Sequence, residues 1–463
     1  MNGPFPFSAW RVVMLFAFFA SGLRADYAEQ FAERTGAVVM VRYSLAGEVD
    51  RQQGSAVGLV VDEQGHIVLL GNTFPRWLPF ERIREVRVHL PRSHGEGYAA
   101  EFLGEDAVNG WFVLRVEEAA RAELTPITAF PSAQPAIGEE VWGICLTDEL
   151  FDYMPYFRHG RLSATHKLPL ETGFGTNDLA TPGSAVFDAR GAFLGWALAA
   201  NAVEREMWLA GEAYGINLVN PNESFAFLLA EPFLESLGED PAAGVAAERP
   251  WIGVSGIQPL DRETAAFLGL EDQGAVILSE VLPGSPAAEA GFEERDIIVA
   301  IRGQPLPRFR PDSVVQVFLE RKIRQSPLGE PLRMTIVRGD EELELRPRPI
   351  PAPPQEREAE RRYFEDLGLT VRATVLGDAL QRRVDWSAME GVIVSFVRPN
   401  SPPAAAGLRA GDWILEIGGE PVADLAEASA LLAAIESAEG AAAEYVLLVS
   451  RDNETALLRV RRD

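Results

Sequence analysis

The chain of 463 residues is 47 % hydrophobic and carries 42 Lys and Arg against 68 Asp and Glu, a formal net charge of −26. That length and apolar content suffice for three domains with separate cores. The negative balance argues against a nucleic-acid partner, whose phosphates call for clustered Lys and Arg. The single cysteine, Cys145, excludes an intramolecular disulfide, a Cys-rich zinc site and a redox pair, and within the apolar run 141–146 it reads as a buried thiol.

At the N-terminus Arg11 precedes an apolar run over residues 12–20, and small residues then lead to Ala25. This is the pattern of a charged n-region, a short h-region and a cleavage site. The run falls well short of the ~20 apolar residues of a membrane-spanning helix. Residues 1–25 are therefore expected to be a signal peptide directing export, with an uncleaved anchor as the alternative. No cysteine follows that could carry a lipid.

Residues 26–240 hold many short β-rich runs separated by Gly, Pro and Asp, as at 37–41, 58–61 and 86–90, which favours a barrel or sandwich. Four stretches follow one another: Gly65-His66-Ile67-Val68-Leu69-Leu70-Gly71-Asn72; Asp106-Ala107-Val108-Asn109-Gly110-Trp111-Phe112-Val113-Leu114; Gly160-Arg161-Leu162-Ser163-Ala164; and Thr181-Pro182-Gly183-Ser184-Ala185-Val186-Phe187-Asp188-Ala189-Arg190-Gly191. They resemble, in order, the segments around the base, the orienting acid, the strand before the nucleophile loop and the nucleophile of trypsin-fold proteases of the HtrA/Deg family. Laid on without gaps, the resemblance puts Asn72 at the general base, Gly110 at the orienting Asp and Pro182 at the nucleophilic Ser.

A triad needs a hydroxyl, an imidazole to take its proton and a carboxylate to fix the imidazole tautomer. An amide does not titrate, glycine has no side chain, and proline has neither hydroxyl nor N–H. Loss of even one such group costs about four to six orders of magnitude in turnover. The reading is a protease fold without its chemistry. The alternative is an active endopeptidase with Ser184 as nucleophile, which would delete the tight Gly-Gly turn that presents the hydroxyl. The five histidines show no metal-site spacing, and neither a metal nor another cofactor is expected.

A linker rich in small and breaking residues follows at 241–250. Beyond it Gly291, Asp296, Gly303 and Pro305 recur as Gly407, Asp412, Gly419 and Pro421, each 116 residues later. With Ser285-Pro286-Ala287 and Ser401-Pro402-Pro403, both copies resemble the PDZ domains of HtrA-type proteins. The domains are accordingly expected at 251–348 and 361–463. Between them residues 346–354, rich in proline, form an extended spacer, and the densely charged 355–362 begins as a short helix; the linker proper is 349–360, long enough to let the second copy sit apart.

In PDZ domains a Φ-Gly-Φ loop aims backbone N–H groups at a peptide's terminal carboxylate, and the next strand accepts the peptide as an added strand. By position these loops are Trp251, Ile252, Gly253 and Val254 in the first copy and Leu367, Gly368 and Leu369, after Asp366, in the second. The facing wall is a helix in each, around 313–319 and 425–432, with Asp312 and Asp424 as N-caps and apolar residues lining the groove. The fold expected is mainly β: a trypsin-like double β-barrel followed by two α+β PDZ domains. The resemblance implies an exported protein of the periplasm or cell envelope that binds protein C-termini or unfolded polypeptides, in a chaperone, adaptor or regulatory role. It also implies a homo-oligomer, as trimers built on the protease-like domain, or co-assembly with an active relative.

Overall fold

The computed structural model describes residues 26–461 except 72, 76, 168–169, 199–225, 239, 246, 438–443 and 453. The expected signal segment lies outside the described residues. A short helix, α1 (Tyr27–Arg34), capped by the Asp26 carboxylate, leads into the first barrel.

That barrel closes on six strands: β1 (Val38–Ala46), β2 (Arg51–Val60), β3 (His66–Leu70), β4 (Ile83–His89), β5 (Tyr98–Asp106) and β6 (Trp111–Val116), in the order β1-β2-β3-β6-β5-β4. The second repeats the plan with β7 (Glu140–Leu146), β8 (Pro155–Lys167), β9 (Glu171–Gly175), β10 (Ala185–Asp188), β11 (Phe193–Ala197) and β12 (Ala226–Leu229), ordered β10-β11-β12-β9-β8-β7. Closure removes the free edges that an open sheet would present. Each barrel fills its own interior, one around Val39, Ile67, Phe112 and Leu114, the other around Val141, Val186, Leu194 and Phe227.

A third cluster joins the barrels, because β6 and β7 are apolar on both faces. Trp111 lies 6.0 Å from Trp196, and both rings pack on Phe233, at 5.5 and 5.7 Å. These aromatics fix the seam between the barrels, beside which Gly110 and the turn before β10 lie. Each fully buried ring contributes on the order of 2–3 kcal/mol of transfer free energy.

The first repeat copy is built from short pairs, with β13 (Pro250–Trp251) on β22 (Ile350–Pro351) and β14 (Val254–Ser255) on β17 (Glu280–Val281). Its main sheet joins β15 (Gln258–Pro259), β16 (Val276–Ile277), β18 (Ile297–Ile301), β20 (Met334–Arg338) and β21 (Glu341–Leu345), with β19 (Gln304–Pro305) beside β18. The helix α2 (Val314–Arg324) covers it, burying Val314, Val315, Val317, Leu319 and Ile323. Ser313 is its N-cap residue, without a side-chain bond, and Asp312 instead pairs with Arg262 at 3.0 Å. The expected cap at Asp312 is thus corrected: the carboxylate has a cation to answer.

The second copy is one sheet, β23 (Arg361–Phe364), β24 (Leu369–Ala373), β25 (Val392–Val397), β26 (Trp413–Ile417), β28 (Glu444–Arg451) and β29 (Glu454–Arg461), with β27 (Glu420–Pro421) beside β26. Between β24 and β25 lies α3 (Leu376–Arg382), and α4 (Leu425–Ser437) packs on β23, β24 and β26. Here the Asp424 carboxylate does cap, accepting from the Glu427 N–H at 3.0 Å.

The spacer between the copies is not free. Ile350 and Pro351 pair with β13, so the first copy extends past 348, and Pro250 belongs to it rather than to the linker at 241–250. Further on, a 3-10 turn at Glu356–Glu358 buries Arg357 against the first barrel, 2.9 Å from Glu105 and over the rings of Phe80 and Phe112. Burial pushes that guanidinium's pKa down, and Glu105 opposes the shift. The second copy therefore does not stand apart: Thr370 Oγ1 donates to Glu48 at 2.9 Å across the same junction.

Candidate functional site

The first candidate is the seam where the protease resemblance places its triad. Asn72 lies outside the described residues; its neighbour Gly71 follows β3 and lies against Gly110, whose carbonyl oxygen would be 2.2 Å from a Cβ on Gly71. Gly110 sits in a left-handed turn at φ +77°, its N–H donating to the Asp106 carbonyl at 2.8 Å. The buried Asp106 carboxylate is occupied by that same turn, accepting from the N–H groups of Val108 and Asn109 and from Asn109 Nδ2. Glycine is favoured because other residues pay about 1–2 kcal/mol for this conformation.

Pro182 is exposed at the tip of a turn closed by the Ser184 N–H donating to the Thr181 carbonyl at 2.8 Å. The Gly183 N–H donates to the Ala197 carbonyl, also at 2.8 Å. Both N–H groups that follow Pro182 are thus engaged, one with the end of β11 and one within the turn. Ser184 is fully buried and its hydroxyl donates to the Ile144 carbonyl at 2.6 Å. The alternative nucleophile is corrected on this geometry: the hydroxyl is shut from solvent and bound to main chain. Among the described residues no histidine bonds it; His66 faces Asp62 at 2.6 Å and His94 faces Asp152 at 2.9 Å. Burial above all, with Arg42 nearby, pushes the His89 imidazole down. Burial pushes the Cys145 thiol up, which keeps it protonated and inert.

The second candidate is a groove of 660 Å³ in the first repeat copy. One wall is the chain from Trp251 through Gly253 and Val254 to Pro259; the other is α2, with Ser313, Gln316, Glu320, Ile323 and Arg324. The loop is held from behind, as the Ala287 N–H donates to the Ile252 carbonyl at 2.8 Å and the Leu282 N–H to the Gly253 carbonyl at 2.9 Å. Among the described residues the N–H groups of Ile252 and Gly253 donate to no partner. On one edge β14 pairs with β17, and its other edge faces the groove. The four loop residues named from sequence are therefore together in one open cleft.

The wall differs from expectation. Its apolar residues Val314, Val315, Val317 and Leu319 pack the core, and the groove receives the polar face at 316, 320 and 324, with Ile323 as its apolar member. Positions four apart share a helix face, so this polar set is spaced for one face in the sequence, and the apolar stripe marks the opposite, core-facing side.

In the second copy Leu367, Gly368 and Leu369 are not open, which corrects the expectation of a second carboxylate loop. The Gly368 N–H donates to the Phe364 carbonyl at 2.9 Å. β24 is paired on both edges, with β25 on one side and β23 on the other, Phe364 opposite Leu369 and Arg361 opposite Arg372. β23 runs antiparallel to β24 and ends at the loop, the course an added peptide would follow. Phe364 is fully buried with Leu367, Leu425 and Leu432. The chain fills its own groove.

The two loops should respond differently to a methyl group. Gly253 has φ +82°, and a Cβ there would lie 2.0 Å from Ser285 Cβ, so Gly253→Ala must displace the loop. We expect it to lower the affinity of the full chain for a free-acid peptide by at least about tenfold. Gly368→Ala meets Arg398 and Ser401 at 3.0 Å and should lower stability while leaving peptide affinity unchanged. Fluorescence anisotropy on both variants decides, and equal losses would contradict the assignment of binding to the first copy.

A model of the PDZ domain family matches residues 277–338 and 393–438, one stretch in each repeat copy. A probable periplasmic serine endoprotease DegP-like of Rhizobium meliloti (strain 1021) is 28 % identical over 229 residues, covering 46 % of this chain and 42 % of the relative. Its counterpart in Chlamydia trachomatis serovar D is 24 % identical over 395 residues, covering 82 % and 71 %. The chain spans under half the length of the Rhizobium relative and of the DegP-like relatives from Brucella. The solved HtrA-type protease AlgW with decapeptide superposes with a TM-score of 0.51 at 16 % identity over 71 % of this chain and all of that one, a likeness of fold. With two closed six-stranded barrels followed by two repeat copies that the PDZ model matches, the chain is similar in fold to the HtrA-type proteases and, at 24–28 % identity, in sequence to DegP-like endoproteases.

Proposed function

We propose that this chain is an exported, catalytically inactive relative of the HtrA-type proteases that binds protein C-termini, or the free ends of unfolded chains, in the groove of its first PDZ copy. The observation that carries the reading is the open edge of β14 beside two uncommitted N–H groups, those of Ile252 and Gly253. An extended peptide adds to such an edge as a strand, and its terminal carboxylate takes the N–H groups. The inactive reading rests on the residues at the matched positions, Asn72, Gly110 and Pro182, and is supported by the engagement of Ser184. Export rests on the pattern of residues 1–25 and agrees with the periplasmic proteins named above. The role is that of an adaptor or chaperone in envelope protein quality control.

Hydrogen bonds to a charged group are individually worth about 1.5–3 kcal/mol. Amidating the C-terminus of a bound peptide should therefore weaken it by at least about tenfold. Matched free-acid and amidated peptides with an apolar last residue, titrated against the full chain, test this. Equal affinities would show that the loop does not read C-termini.

A further inference from the structure

The wall helix ends in a cluster of cations, Arg321, Lys322 and Arg324, in a protein whose net charge is −26. Two are committed elsewhere: Arg321 lies over the Phe233 ring at 5.0 Å and Lys322 over Phe318 at 5.5 Å. Nearby Arg302 donates to the Gln325 carbonyl at 2.6 Å. Arg324 alone lines the groove, and its Nε is buried without a hydrogen-bond partner. Among the described residues it makes no ion pair, although Glu320 lies one turn away on the same wall.

The end of the groove at which Arg324 stands follows from two anchors. Asp312, just before α2, pairs with Arg262, and a Cβ on Gly274 would lie 2.8 Å from Val315. Gly274 adjoins Ala275, whose carbonyl accepts from the Leu260 N–H. The helix start therefore lies beside residues 259–262, where the groove strand ends. Ten residues of helix span about 15 Å, which carries Arg324 to the opposite end, where the Trp251 to Gly253 loop lies. α2 indeed packs against β13 as well as β15.

We infer that Arg324 is the counter-charge for the terminal carboxylate of the bound peptide, completing from the helix side the cradle that the Ile252 and Gly253 N–H groups form from the loop side. This rests on the reading of the groove proposed above. A guanidinium can offer its Nε–H and an Nη–H as a parallel pair to one carboxylate, which a lone ammonium cannot match. The buried, unmatched Nε is the donor that such a ligand would satisfy.

The test is a comparison of the full-length protein with its Arg324→Ala, Arg324→Gln and Arg324→Lys variants, each titrated with the free-acid and amidated forms of one peptide. We expect Arg324→Ala and Arg324→Gln to weaken the free acid by about tenfold and to leave the amide unchanged, so that the preference for the acid collapses. Lys should restore part of it. If the unaltered protein prefers the acid and the variants keep that preference, or lose affinity for both forms alike, Arg324 is only part of the wall and the inference falls while the groove reading stands. If the unaltered protein shows no preference, the groove reading itself falls, and this inference with it.

Discussion

Incubated at high concentration with unfolded casein, the purified protein should leave it uncut, and so should its Pro182→Ser variant. On the proposed match of Asn72, Gly110 and Pro182 to base, orienter and nucleophile, a hydroxyl introduced at 182 has no imidazole to take its proton. Members of such a unit do not act additively, and a lone restored member stays about four to six orders of magnitude below a complete site. In the unaltered chain the proline ring also leaves residue 182 without the N–H that a trypsin-type nucleophile turns toward the oxyanion. A carboxylate at 110 would have to adopt φ +77°. Cleavage that disappears in Ser184→Ala would overturn this view, since it would assign the chemistry to a hydroxyl that donates to Ile144.

Much of this architecture is legible in the sequence because it rests on local signals. The alternating and fully apolar runs give the barrel strands, and the repeat locates both C-terminal copies through Asp296 and Asp412. What those aspartates do was not legible. Each accepts from a backbone N–H three residues before it, Glu293 or Arg409, and each pairs with an arginine from a later strand, Arg338 at 2.7 Å and Arg451 at 2.6 Å. These arginines stand 113 residues apart, not 116, so the repeat spacing passes over them. The self-filled groove was equally hidden. Arg361-Arg362-Tyr363-Phe364 has no period that tells a strand beside β24 from a continuation of the charged linker, and only the register reveals which edge it takes.

Asp378→Ala should cost the second copy about 3–5 kcal/mol. Arg372 and Asp378 are both almost wholly buried and form a two-pronged pair, Nη1 to Oδ2 at 2.6 Å and Nη2 to Oδ1 at 2.8 Å. The same carboxylate accepts from the Val375 N–H at 2.8 Å, at the start of α3. Removing it leaves a guanidinium out of water with only Glu356, at 3.6 Å, as counter-ion, and a helix terminus without its acceptor. Replacing both partners, as Arg372→Met with Asp378→Ala, should recover a large part of the loss. Hydrogen exchange at the amides of β24 and β25 measures the opening free energy directly. A loss below about 1 kcal/mol in the single variant would mean that water reaches Arg372. Peptide affinity in the first copy should not move.

The anchored spacer has a consequence for any client held in the groove. Ile350 and Pro351 are tied to β13, Arg249 reaches Glu358 at 2.6 Å, and Arg357 is sunk into the first barrel. Only residues 352–356 lie between the tied points. Capture of a client's end therefore does not have to arrest a swinging module, and that share of the entropy of association was already surrendered when the chain folded. The rest of the client is then tethered at a fixed reach from the barrels. Its effective concentration there is set by its own length beyond the gripped end, and not by the reach of a flexible arm.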